Sequence, residues 1–117
     1  MHTIANVLTG LIALLHVWIL VLEMFLWDKP YGLKAFGLTQ AFATESRALA
    51  ANQGLYNGFL AAGLFWGLAL GDGGEHIKLF FLLCVLVAGI FGALTANRRI
   101  LFIQAVPAGL ALAFMLF

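Results

Sequence analysis

Residues 51–63 read ANQGLYNGFLAAG. Asn52, Gln53, Tyr56 and Asn57 crowd into six positions, after which the stretch turns wholly apolar. Two readings compete. As a loop, the stretch would separate a pair of greasy segments. As the opening turns of a helix, it would set carboxamides inside a membrane span. Asn52 and Tyr56 are four apart, and so are Gln53 and Asn57, so each pair shares a helix face. The two faces adjoin, about 100° apart, and make a wide polar sector. Gly54 and Gly58 are also four apart and would let a neighbouring backbone approach closely.

The surrounding chain selects the helix. Its 117 residues are 64% hydrophobic and 9% charged. A soluble domain is roughly 45–50% apolar and about 25% charged. The expectation is therefore one integral membrane domain over residues 1–117. A formal net charge of +1 and the lack of a basic patch exclude nucleic acid as a partner. The single cysteine, Cys84, excludes an internal disulfide and a cysteine-rich metal site. It reads as a small core or lipid-facing residue. No metal and no cofactor are expected. The N-terminal apolar run lacks a basic flank and a small-residue cleavage site, so it reads as a retained first span.

A spanning helix needs about 20 mostly apolar residues, and four segments qualify: about 4–27, 49–70, 77–96 and 99–117. Runs of that length are not strands, and open-ended spans in lipid must be helical. The expected fold is all-α, a four-transmembrane-helix bundle. Pro30 and Gly32 break the first helix. Beyond Gly37, the pattern Leu38, Phe42, Leu49 against Thr44–Arg47 reads as a short interfacial amphipathic helix between helices 1 and 2, or as one running unbroken into the second span. Pro107 should kink the fourth helix by removing a hydrogen bond to a carbonyl one turn earlier. Lys29, Lys34, Arg47, Arg98 and Arg99 fall in the first and third connections, and only Lys78 lies near the second. By the positive-inside rule, those two connections are cytoplasmic. Both termini then lie on the non-cytoplasmic side of the cell inner or plasma membrane. Small-residue faces such as Gly63, Gly67 and Gly71 suit packing within the bundle, with a homodimer face as the alternative.

The polar residues within the spans gather in one half. Glu23 lies about 6 Å before the expected end of helix 1, at 1.5 Å per residue. Asn52, Gln53, Tyr56 and Asn57 open helix 2, and Gln104 lies early in helix 4. His16, Glu23 and Trp27 share a face of helix 1 at three depths. The half near the second connection reads as almost free of polar groups. Ionisable groups in a membrane are costly and by default functional. Glu23 and His16 are the candidates for charged or proton-exchanging roles. Trp27, Asn52, Gln53, Tyr56, Asn57 and Gln104 are the candidates for orienting a ligand. A structural alternative pairs Glu23 with Arg98, Arg99, Asn52 or Asn57 merely to lock helices together. No nucleophile–base pair is readable. His16 and Glu23 stand about 10 Å apart along the axis, too far to share an ion. His2 and His76 are expected to face solvent.

"LLHVWILVLEMFLW", "FGLT", "ANQGLYNGFLAAGL" and "IQAVPAGLAL" resemble the membrane proteins grouped as domain of unknown function 1304. The resemblance covers nearly the whole chain. It implies a four-helix integral membrane protein and no activity. The hallmark positions it carries over are His16, Glu23, Asn52, Gln53, Gly54, Tyr56, Asn57, Gly58 and Gln104. A weaker likeness is to the small multidrug resistance transporters, which have four short helices and a glutamate in the first. Here Glu23 lies nearer the helix end and the charge bias is stronger. Sterol-isomerase and emopamil-binding-type bundles share the residue types but no motif.

The expected function is binding of a small amphipathic or lipid-like molecule in a polar pocket in the cytoplasmic half. Three alternatives stand beside it: a proton-coupled exporter acting as a homodimer, a membrane acid–base isomerase or cyclase, and a structural protein without a ligand.

Overall fold

A computed structural model describes residues 2–117. All regular structure among them is helical. Five α-helices follow one another: α1 (His2–Met24), α2 (Pro30–Phe36), α3 (Gln40–Ala69), α4 (Glu75–Thr95) and α5 (Val106–Leu116).

α1 is an unbroken apolar run that ends at Met24, earlier than the expected residue 27. The amides of Phe25 and Leu26 both donate to the Val21 carbonyl, at 3.0 and 3.2 Å, and the chain turns. Lys29 is extended, with φ −98° and ψ 160°, as clash with the following proline ring requires. Pro30 does not end the first helix, which has already stopped at Met24; it begins a second. Its fixed φ suits the first turn of α2, where its missing N–H goes unneeded. Gly37 closes α2 in the left-handed region, at φ 66°, a conformation that favours glycine.

The short helix between the first two long ones thus lies at Pro30–Phe36 and not after Gly37. The amphipathic stretch from Leu38 onward feeds α3 instead. Thr39 Oγ1 accepts from the Phe42 amide at 3.2 Å and caps its start. No proline interrupts the next thirty residues, so α3 runs from Gln40 to Ala69. At 1.5 Å per residue it is about 45 Å long, longer than the roughly 30 Å hydrocarbon layer of a bilayer.

The α3–α4 turn is a 3₁₀ segment, Gly71–Gly74. Gly71 is left-handed (φ 61°), and a Cβ on Gly74 would collide with the Gly67 carbonyl. Before α5 the chain makes a π-turn, Leu101–Ala105, in which the Val106 amide reaches the Leu101 carbonyl, five residues back. Pro107 explains it, because proline has no amide to offer the Ile103 carbonyl. The expected kink is thus a widened turn.

The chain forms two compact units. One is Leu15–Phe59; the other joins the segment ending at Leu14 to Leu60–Phe117. The core of the second unit draws on four helices: Ile12 and Ala13, Leu64, Leu82 and Val85, and Ala108, Ala111 and Leu112. Among the described residues, two helices, α1 and Gly71–Thr95, are long and apolar enough to cross a membrane, and Leu101–Leu116 is a shorter apolar helix.

Candidate functional site

The unit Leu15–Phe59 holds the carboxylate that the sequence singles out. Glu23 sits one residue from the end of α1, about 1.5 Å in depth and not the 6 Å expected from a longer helix. Asn57, buried at 7% exposure, donates from Nδ2 to Glu23 Oε1 at 2.6 Å. The same nitrogen reaches the Gln53 carbonyl at 3.2 Å. A bond to an ionised carboxylate is short and roughly twice as strong as a neutral one.

Glycines allow this approach. A Cβ on Gly54 would stand 2.7 Å from Met24 Cγ and 3.1 Å from Glu23 Cβ, and one on Gly58 2.6 Å from Leu20 Cδ1. The two α3 glycines therefore lie directly against the Leu20, Glu23 and Met24 side chains of α1, and Asn57 meets Glu23.

The other candidates diverge. Asn52, Gln53 and Tyr56 are exposed, and the Tyr56 ring lies 6.1 Å from Phe59. The wide polar sector therefore splits into an inward residue, Asn57, and an outward group. Trp27 does not continue the His16–Glu23 face, because α1 has already ended. Its indole Nε1 donates to Ser46 Oγ at 3.0 Å, and its ring packs 4.9 Å from Phe36. His16 is fully buried and engaged within the fold. In the other unit, Gln104 sits half-buried in the π-turn and is likewise engaged. His2 and His76 are exposed. Among the described residues, no three of His, Cys, Asp or Glu converge.

Residues 10–116 match the family described as protein of unknown function (DUF1304). The chain belongs to that family. It is similar to "Uncharacterized protein YpaA" of Lactococcus lactis subsp. lactis (strain IL1403), with 28% identity over 114 residues covering 96% of each chain. No solved structure matches it.

The DUF1304 chain also holds a polar site that its sequence did not announce. The half near Gly71–Gly74 was expected to be almost free of polar groups. Instead Lys78, 3% exposed, donates from Nζ to Asn6 Oδ1 at 2.8 Å and pairs with Glu75 Oε1 at 2.9 Å. Gly67 makes room for it, since a Cβ there would meet Lys78 Cγ at 2.6 Å. The legible signal was the i,i+3 spacing of Glu75 and Lys78. Asn6, on another helix, could be joined to them only by the fold.

Proposed function

We propose that this DUF1304 protein is a four-helix integral membrane protein that binds a small amphipathic or lipid-like molecule through Glu23. The membrane reading draws support from outward-facing apolar surface. Only 28% of the apolar window of α1 and 22% of that in Gly71–Thr95 are buried, whereas a helix in a soluble core is mostly buried. Phe91, Leu94 and Phe102 stand exposed, and exposed apolar patches of this kind mark membrane contact. The apolar part of α3 and Leu101–Leu116 supply the remaining two spans.

The observation that carries the site is the Glu23–Asn57 pair at the end of α1. An ionisable group at a membrane helix marks a functional site by default. Asn57 takes one of roughly four acceptor positions on the carboxylate. A ligand head group bearing a hydroxyl or an amine would address another, with its tail in the lipid. The pair lies on the side of Lys29, Lys34 and Arg47, the cytoplasmic side by the positive-inside rule.

The test is a thermal-shift screen of purified protein against lipid-soluble alcohols and amines. A stabilising compound should lose its effect in Glu23→Gln. An equal shift in wild type and variant would sink the site. Proton release on binding would turn the reading toward an exporter, and turnover of the compound toward an acid–base enzyme.

A further inference from the structure

We propose that the exposed face of α2, together with Trp18 and Phe25, is a docking surface for anionic phospholipid head groups. This rests on the reading that α1 spans the membrane, and it adds a lipid partner to it.

α2 is pinned to the end of α1. A Cβ on Gly32 would collide with the Leu26 carbonyl oxygen, so α2 touches the backbone of the turn that follows α1. The Tyr31 ring lies edge-on to Trp18 at 5.9 Å and 76°. Trp18 is six residues before Met24, about 9 Å along the axis. α2 therefore packs beside the last two turns of α1. In a bilayer crossed by α1, that is head-group level.

The side chains displayed there fit that level. Tyr31 and Phe25 are 59% and 63% exposed, and Trp18 is 44% exposed. Trp and Tyr concentrate at membrane–water interfaces. Lys29 and Lys34 are exposed beside them. Lysine can lay its stem along apolar surface while its ammonium reaches the head groups. Asp28, which precedes Lys29 in sequence, pairs with Arg47 at 3.4 Å, so its charge is offset by that arginine. A zwitterionic head group offers no net charge to them, whereas an anionic one does. Each lysine near such a surface favours it roughly fivefold. An acidic protein partner would match the charges but not the exposed rings.

The test reconstitutes full-length protein carrying Trp27→Phe and Trp66→Phe, so that Trp18 is the only fluorophore of its kind. Brominated phosphatidylglycerol or brominated phosphatidylcholine is the quencher in mixed bilayers. Trp18 should prefer phosphatidylglycerol by more than roughly tenfold, and about 0.5 M NaCl should weaken that preference. Lys29→Gln with Lys34→Gln should bring the two lipids close to equal. Lys29→Arg with Lys34→Arg should keep the preference, and so should Arg98→Gln with Arg99→Gln. Equal quenching by both lipids in the unaltered lysine background would overturn the proposal while leaving α1 in the bilayer. A preference untouched by the glutamine pair, or lost with Arg98 and Arg99, would overturn it too. Quenching by neither lipid would remove the membrane reading together with the proposal.

Discussion

Asn57 reaches Glu23 where Gly54 and Gly58 of α3 leave room for the Leu20, Glu23 and Met24 side chains of α1. Asn57→Ala strips the carboxylate of a buried donor. It should lower unfolding stability by about 1–3 kcal/mol, the usual cost of leaving a buried polar group without its partner, read by denaturation in detergent. A cycle with Glu23→Gln should show coupling, because the two side chains touch. Gly54→Ala should cost about 1–3 kcal/mol through overpacking, since its Cβ would press on Met24 and Glu23. Gly73→Ala, with nothing within 4 Å of its Cβ, should be near neutral in the same assay. Glu23 and the carboxamide cluster were legible as polar residues in an apolar chain. Which carboxamide meets the acid was not. Asn52 and Asn57 lie on adjoining faces, and spacing along one helix cannot say which face a neighbour covers.

Helix boundaries obeyed local chemistry where that chemistry was strong. Pro30 begins α2, Gly37 ends it, and Thr39 caps α3. Thr39→Ala should lose about 1 kcal/mol of stability, visible as faster amide exchange in the first turn of α3. The π-turn has an equally local cause in Pro107. Pro107→Ala restores the missing donor, so the Val106 amide should move from the Leu101 carbonyl to that of Phe102. The turn would tighten, rotating Gln104 by roughly 100° against α5. Backbone chemical shifts at residues 101–107 would register the change, and unaltered shifts would mean that proline is not its cause. The end of α1 was less legible. Apolar character continues through Phe25, Leu26 and Trp27, so hydropathy alone carries the helix on, whereas the chain turns after Met24, with the Phe25 and Leu26 amides sharing the Val21 carbonyl.

Membrane topology is the prediction that belongs to the complete chain. In a background with Cys84→Ser, single cysteines at positions 34, 73 and 98 separate four spans from two. Four spans place position 73 opposite positions 34 and 98. Two spans, α1 and α4 alone, place 73 with 34 and leave 98 opposite. A membrane-impermeant maleimide on intact cells reads the difference, and labelling of 73 alone is the expected result. The all-helical character, the DUF1304 membership and the isolation of Glu23 in an apolar run were written in the order of residues. They follow from quantities that add along a chain: apolar runs too long for strands, helix breakers, and the cost of a charge in an apolar segment. The choice of Asn57 as partner, the departure of Trp27 to Ser46, and the burial of Lys78 between Asn6 and Glu75 came from folding alone. Each depends on how closely two backbones approach, and that distance belongs to a pair of segments and to neither one's sequence.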